Sequence, residues 1–190
     1  MPKVTHEWMS RFTHIDYDRE MALVLDRDGL RDLDDPQVIF FDELLERAVE
    51  LGVIDRFSQD PAAAVVGADL VFVSVPLGAM RAIFTAIRDN LDPSAILTDG
   101  GSVKGSVVAD ARAAFGRVPP RLVPGHPIAG TERSGVDASF PELYRNRRVI
   151  LTPLPDTEPE AVEWVDWMWR ACGAQVSRMS VTHHDEVLAA

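Results

Sequence analysis

From residue 38 onward, short runs of apolar residues alternate with longer segments in which apolar side chains recur every three or four positions. Short apolar runs that end at turn-forming residues are typical of strands buried on both faces of a sheet. Alternating strands and helices predict an α/β fold built around a doubly wound, mostly parallel sheet. The runs that predict strands are Val38–Phe41, Leu70–Val75, Ala95–Thr98, Leu122–Val123 and Arg148–Thr152.

The segments between these runs predict amphipathic helices, each with one buried apolar stripe. A glycine after the last apolar position predicts the end of a helix, as at Gly52, Gly116 and Gly173. The predicted stripes are Leu44, Leu45, Ala48 and Val49; Met80, Ile83, Phe84 and Ile87; Val103, Val107, Ala111 and Ala114; and Val162, Val165, Trp169 and Cys172.

Polar residues predict where several helices begin. Asp60 before a proline predicts an N-cap followed by proline at the first helical position. Ser102 is predicted to cap the helix that follows it. Thr157–Glu160 and Thr182–Asp185 have the spacing of a capping box, in which the first and fourth side chains cap the same helix.

The first 37 residues differ from the rest because they are polar and acidic and lack the alternating pattern. Within them, Met21–Leu25 is a candidate strand that runs into the turn Asp26–Gly29. The stretch Arg11–Leu23 resembles a short piece of GNAT-type acetyltransferases, but no Gly-rich acyl-CoA loop of that family follows it. The pattern therefore predicts an atypical segment over 1–37 and an α/β domain that begins at residue 38.

Composition narrows the classes of protein further. The formal net charge is −11 and the sequence pI is about 4.8, so the surface repels phosphate backbones and nucleic acid is not expected as a partner. The most apolar stretch, Ala62–Met80, contains Asp69 and Pro76 and does not predict a membrane span. The single cysteine, Cys172, fits a reducing cytoplasm and is expected to act as a small apolar residue near a helix end.

Two glycine-rich segments carry the candidate chemistry. Thr98–Lys104 reads Thr-Asp-Gly-Gly-Ser-Val-Lys, a turn of small residues that opens a helix and can present backbone N–H groups to an anion or a carbonyl oxygen. Gly125–Gly130 reads Gly-His-Pro-Ile-Ala-Gly and puts His126 between turn formers, at the end of a short apolar run. A titratable side chain after a strand lies where open α/β sheets bind their ligands.

In this order and spacing, the two segments together resemble prephenate/arogenate dehydrogenases, the NAD(P)-dependent enzymes of tyrosine biosynthesis. The resemblance extends from about Phe41 to the C-terminus and implies a Rossmann-like nucleotide-binding domain over residues 38–180. It implies a cytoplasmic oxidoreductase that uses NAD to oxidise and decarboxylate prephenate or arogenate. Residues 181–190 would begin a helix that connects to the family's all-helical dimerisation domain, which makes a homodimer one expected assembly.

For the substrate, the resemblance implies that His126 is the catalytic base that accepts a hydrogen bond from the ring hydroxyl. A neutral imidazole with a pKa near ambient pH suits this task. Ser102 would orient the same hydroxyl, and Lys104, Glu132 and Ser134 would contact the substrate. Alternatives from the residues alone remain open, because Ser102 also fits a helix N-cap and Lys104 also fits a solvated surface side chain.

For the cofactor, the resemblance puts Asp42 at the end of the second strand of the family pattern. A carboxylate there can accept hydrogen bonds from the ribose hydroxyls and repel a 2′-phosphate, which favours NAD over NADP. A helix N-cap explains Asp42 equally well. The other residues that the resemblance assigns to the cofactor site are Ser74, Val75, Pro76, Asp99 and Gly101.

Two parts of the family pattern are not found in this sequence. No Gly-x-Gly-x-x-Gly loop precedes Asp42, where Gly29 is the lone glycine, and the family's all-helical domain is not among these 190 residues. These differences support an alternative, a non-catalytic truncated or chimeric α/β module that self-associates. The adjacent His183 and His184 point in different directions on a helix, so we expect cap and surface positions for them rather than metal ligands.

Overall fold

Two β-sheets form the centre of the protein in a computed structural model, which describes residues 21–24, 45–52, 54–130, 140 and 142–188. The first sheet has four parallel strands in the order β1-β2-β3-β4. In the second sheet β5 pairs antiparallel with β6, and β6 pairs parallel with β7. The strands are β1 (Met21–Val24), β2 (Leu70–Val73), β3 (Ile96–Asp99), β4 (Leu122–Val123), β5 (Gly125–Ile128), β6 (Arg148–Leu151) and β7 (Gln175–Arg178).

Six α-helices are described around these sheets. A 3-10 turn, Leu77–Ala79, leads into the third of them. None of the helices in the described ranges is long and apolar enough to span a membrane. The helices are α1 (residues 45–50), α2 (Pro61–Ala64), α3 (Met80–Ile87), α4 (Lys104–Phe115), α5 (Pro159–Ala171) and α6 (Val181–Leu188).

Helices cover both faces of the parallel sheet, and successive strand side chains alternate between the two faces. Val71 and Val73 of β2 join one apolar cluster, which includes the buried residues of α3 and α4. Leu70 and Phe72 of the same strand pack against the other cluster, which includes the buried face of α5. This arrangement confirms the predicted α/β fold with a doubly wound, mostly parallel, Rossmann-like sheet.

The candidate strand in the atypical N-terminal segment is confirmed for Met21–Val24. It pairs in parallel with β2, with Met21 opposite Leu70, and stands first in the order of the strands that the structure describes. The predicted strand Val38–Phe41 lies outside the described residues. The apolar pattern does not predict β5, which contains Pro127, or β7, because its sequence Gln-Val-Ser-Arg is mostly polar and exposed.

The helix stripes are largely confirmed. All four predicted positions of α3 are buried, and Val107, Ala111 and Ala114 of α4 are buried as well. Gly116 and Gly173 have positive φ angles of 76° and 81°, which is the left-handed conformation expected of a residue that ends a helix. Val103 departs from the pattern because it is exposed and precedes α4.

The predicted caps have mixed outcomes. Asp60 is confirmed, since its carboxylate accepts a hydrogen bond from the Ala62 amide at 2.9 Å. The Thr157–Glu160 capping box is wrong: Glu158 is the N-cap residue and makes no side-chain cap. The Thr182–Asp185 box is wrong too, because the Ser180 hydroxyl accepts the hydrogen bond from the His183 amide.

Candidate functional site

Three turns meet at the carboxyl edge of the parallel sheet, where open α/β sheets bind ligands. Ser74–Pro76 follows β2, Gly100–Val103 follows β3, and Pro124 joins β4 to β5. The side chains of Ser74 and Ser102 are exposed at this edge. The structure therefore brings the two glycine-rich segments of the sequence together with the turn after β2.

A buried ion pair stands at the centre of this edge. Asp99, the last residue of β3, accepts hydrogen bonds from the Lys104 ammonium and from the amides of Gly101 (2.7 Å) and Gly125 (3.2 Å). The Lys104 ammonium also donates to the carbonyl oxygen of Gly125. Both charged side chains are fully buried, so the pair joins the β3–α4 turn to the start of β5.

Burial opposes the charged form of each partner in this pair. Desolvation raises the pKa of the Asp99 carboxyl, although the Lys104 charge and two backbone amides oppose the shift. Desolvation likewise lowers the pKa of the Lys104 ammonium, against the attraction of Asp99. The prediction of a solvated surface lysine is wrong. The prediction that Lys104 contacts the substrate is not supported either, because its ammonium is fully buried and already paired with Asp99 and the Gly125 carbonyl.

Small residues allow the turns to approach one another. A β-carbon at Gly101 would lie 3.0 Å from both Asp99 Oδ2 and a methyl group of Leu77, and one at Gly125 would lie 3.0 Å from the Asp99 carbonyl oxygen. Contacts this short are rare for real β-carbons, and a neighbouring atom would have to move by a few tenths of an ångström. Glycine is therefore favoured where β3, α4 and β5 meet, beside the buried ion pair.

His126 lies in β5, opposite Ile150 of β6, and not in a turn as its neighbours in sequence suggest. Its ring is partly buried. Burial lowers the pKa of His126 to about 4, helped by the neighbouring His184 and Lys104 and opposed by Asp185. The imidazole is therefore neutral at pH 7 and can accept a hydrogen bond, but its pKa lies below the near-ambient value expected for the base.

Helix α6 supplies the other residues that surround His126. Nδ1 of His126 lies 2.9 Å from Nε2 of His184, and Nδ1 of His184 lies 2.7 Å from Oδ1 of Asp185. His184 is fully buried, so the prediction of a cap or surface position is wrong for it, whereas His183 is exposed as expected. Among the described residues, no group of three or more His, Cys, Asp or Glu side chains could hold a metal ion.

Asp185 also caps α4 from a distance of some 80 residues in the chain. Its carboxylate accepts hydrogen bonds from the amides of Lys104 (2.9 Å) and Gly105 (2.8 Å). Burial alone would raise the pKa of Asp185, but the hydrogen bonds from His184, Gly105 and Lys104 lower it overall. The prediction that Ser102 caps α4 is wrong, because the N-cap residue is Val103 and the cap comes from Asp185.

The described part of the chain thus brings together most of the predicted site residues. Asp99, Gly101, Ser102 and Lys104 come from the end of β3, the turn after it and the start of α4, and His126 comes from β5. The apolar Val181, three positions before His184 and partly buried, is a weak sequence signal for an inward His184. The predicted site residues that lie outside the described ranges are Asp42, Glu132 and Ser134.

The chain is similar in sequence to one family of known proteins. Residues 41–178 match the family model described as the nucleotide-binding domain of prephenate dehydrogenase. The chain is 39% identical over 145 residues to the cyclohexadienyl dehydrogenase of Zymomonas mobilis, a match that covers 76% of this chain and 48% of that enzyme.

Solved structures give the same result for the fold. The crystal structure of prephenate dehydrogenase from Aquifex aeolicus matches with a TM-score of 0.73 and 32% identity over 95% of this chain and 59% of that one. A second structure from that organism, in complex with hydroxyphenyl propionate and NAD+, matches with a TM-score of 0.71 and 31% identity, covering 90% and 63%. The chain spans less than two thirds of the length of each of these relatives.

Proposed function

This chain belongs to the prephenate dehydrogenase family of NAD-dependent oxidoreductases, with residues 41–178 as its nucleotide-binding domain, and we propose that it binds NAD at the carboxyl edge of its parallel sheet. We propose further that it takes part in the oxidative decarboxylation of prephenate or arogenate. His126 carries the proposal: a partly buried, neutral imidazole beside the turns where this fold binds dinucleotides.

The residues at this edge fit a dinucleotide. The ends of β2 and β3 carry exposed Ser74 and Ser102, whose hydroxyls can donate and accept hydrogen bonds. Ser74–Pro76, Asp99 and Gly101 would line the cofactor site, with Asp99 acting through the turn that it holds. Asp42 would accept hydrogen bonds from the ribose hydroxyls, which favours NAD over NADP.

The chain's own residues would handle the proton of the reaction. The imidazole of His126 would accept the proton of the ring hydroxyl, and the Ser102 hydroxyl would orient that group. Lys104 would act from inside the protein, by holding Asp99 and the Gly125 carbonyl in place below the base. When bound, NAD would supply the hydride acceptor, and loss of carbon dioxide would make the ring aromatic.

Other parts of the proposed site lie beyond the described residues. Glu132 and Ser134, six and eight positions after His126, would contact the substrate. The relatives are longer than this chain, and residues outside the matched region can contribute to the pocket in those proteins. We also propose a homodimer, on the basis of the family resemblance.

Calorimetric titration of the full 190-residue chain with NAD tests cofactor binding. We expect saturable binding in the micromolar range, and weaker binding of NADP. Ser74→Trp adds bulk at the carboxyl edge and should abolish the heat of binding. Ser94→Trp is the matched control, because Ser94 is exposed just before β3, at the opposite edge of the sheet, and should leave binding unchanged.

Absence of heat from folded wild-type protein would contradict cofactor binding and favour the non-catalytic α/β module. Equal loss of binding in both tryptophan variants would contradict the location of the site. Circular dichroism spectra of the wild type and of both variants would show that each protein is folded.

Turnover of prephenate, followed as NADH absorbance, tests the base. His126→Asn should abolish turnover and leave the dissociation constant of NAD nearly unchanged, because the imidazole acts on the substrate hydroxyl. In the wild type, kcat/KM should stay constant near neutral pH and fall as the pH approaches about 4, where His126 becomes protonated. Equal loss of turnover and NAD affinity in His126→Asn would mean that the residue is structural.

A further inference from the structure

A continuous series of hydrogen bonds runs from the amino end of α4 through α6 to His126. The Lys104 and Gly105 amides donate to Asp185, whose Oδ1 contacts Nδ1 of His184, and Nε2 of His184 contacts Nδ1 of His126. All four contacts are between 2.7 and 2.9 Å long. His126 is thus the end of a chain of partners supplied by other elements.

The chemistry of these groups decides which atoms carry protons. Asp185 accepts two backbone N–H groups, so its carboxylate is ionised and acts only as an acceptor. His184 must then donate from Nδ1, which leaves Nε2 of a neutral ring as an acceptor. His126 in turn donates from Nδ1, and its Nε2 keeps the free lone pair.

We propose that His184 and Asp185 are positioning residues that hold His126 in the tautomer protonated at Nδ1, so that Nε2 is the proton acceptor. This inference rests on the proposed role of His126 as the base. When the O–H bond of the substrate hydroxyl breaks, the proton forms the new N–H bond at Nε2. The resulting cation keeps its Nδ1–H bond to His184, which is itself held by the negative charge of Asp185.

The same carboxylate also aligns the base with the turn before α4. Asp185 binds the first amides of α4, and Ser102, the proposed partner of the substrate hydroxyl, lies two residues before that helix. Movement of α6 would therefore disturb the base and the Ser102 turn together. The packing of α6 against α4 and β5 therefore sets the position of His126 relative to the turn that contains Ser102.

The tautomer can be measured without any catalytic activity, by long-range nitrogen–proton correlation spectra of the 15N-labelled full chain. We expect His126 in the wild type to be protonated at Nδ1 and unprotonated at Nε2 near pH 7. His184→Leu removes the acceptor, and His126 should change to the Nε2–H form or to a mixture. His184→Gln keeps a carbonyl that can accept from His126 and should preserve the wild-type tautomer.

His183→Leu is the control, because its side chain is exposed on the neighbouring position of the same helix. It should leave the His126 signals unchanged. A wild-type spectrum with His126 protonated at Nε2, or with His184 protonated at both nitrogens, would overturn the inference without the need for any variant.

Kinetics give a second, separate measurement. His184→Leu should lower kcat for prephenate by about tenfold or more with an unchanged dissociation constant for NAD, since a wrong tautomer removes the acceptor but not the cofactor site. His184→Gln should recover most of kcat. If the wild type has the Nδ1–H tautomer at His126 but fails to oxidise prephenate, the positioning role is supported and the proposed function is rejected. If His184→Leu keeps full activity, the positioning role alone is rejected.

Discussion

Asp99 and Lys104 show how much a single residue depends on its partners. Each would be costly to bury alone, and each is fully buried only because the other neutralises it and backbone groups complete its hydrogen bonds. His126 is comparable, since burial lowers its pKa while contacts from α6 determine which nitrogen is free. At the scale of residues, the site is an arrangement of mutually dependent polar groups.

Breaking the buried pair should be strongly destabilising. Asp99→Asn leaves the Lys104 ammonium buried and without a counter-charge, so the free energy of unfolding should fall by about 3–5 kcal/mol. Lys104→Met should also destabilise, and the double variant should lose less than the sum of the single losses, because it leaves no unpaired charge. Urea unfolding monitored by circular dichroism measures all three.

A matched control is Asp89→Asn, which breaks the exposed pair with Arg88 and should have no measurable effect on stability. Strict additivity of the two buried substitutions would show that Asp99 and Lys104 do not stabilise each other.

At the scale of elements, helix α4 depends on a cap from outside its own sequence. Its first amides find their acceptor in Asp185 of α6, and the residue predicted to cap it, Ser102, points to solvent. Strand β5 shows a similar dependence, because Gly125 and Pro127 are poor strand formers that are held by pairing with β6. Neighbouring elements thus determine where α4 begins and how far β5 extends.

Gly105→Ala tests the cap on α4. A β-carbon at Gly105 would lie 2.8 Å from Oδ2 of Asp185, so the carboxylate must move away from the amides that it caps. We expect a loss of about 1 kcal/mol or more in the free energy of unfolding, although alanine favours helix over glycine in an open position. Hydrogen exchange of the Lys104 and Gly105 amides should also become faster.

Gly78→Ala is the matched control, because nothing lies within 4 Å of a β-carbon there. It should be close to neutral in the same unfolding experiment. Stabilisation by Gly105→Ala would mean that helix propensity outweighs the Asp185 cap and that the cap contributes little.

At the scale of the whole molecule, the strands of the parallel sheet connect the two apolar clusters. Strand β2 contributes Val71 to the cluster under α3 and α4 and Phe72 to the cluster under α5. Leu97 and Ile96 of β3 divide in the same way between the two faces. Damage on one face should therefore weaken the other, because both faces share the same backbone.

Leu97→Ala tests this coupling by creating a cavity on the α3–α4 face, where Leu97 is 1% exposed. Such a change costs about 2–5 kcal/mol in a buried core. In a Trp8→Phe background, the three remaining tryptophans, Trp164, Trp167 and Trp169, all lie on α5 and report the opposite face. We expect their fluorescence transition in urea to shift by the same amount as the circular dichroism transition.

Val66→Ala, at a position that is 59% exposed, is the control and should leave both transitions in place. Two transitions that separate in Leu97→Ala would show that the faces unfold independently and that the shared strands do not couple them.

The sequence by itself determined the order of the strands and helices from β2 to α5, apart from β5, and most of the faces that they bury, because hydrophobic periodicity is a local property of the chain. It also placed the two glycine-rich turns and His126 beyond the ends of β3 and β4, since parallel strands bring their carboxyl ends to one edge. The family resemblance rests on these same residues.

Only the tertiary structure decided that Lys104 is buried against Asp99 and that α6 supplies the partners of His126. Asp185 meets the amides of Lys104 and Gly105 across 81 and 80 positions of sequence, and His184 meets His126 across 58. No local pattern specifies where a helix returns after so many residues. The burial of these polar side chains and the tautomer proposed for His126 therefore depend on packing between elements that are distant in sequence.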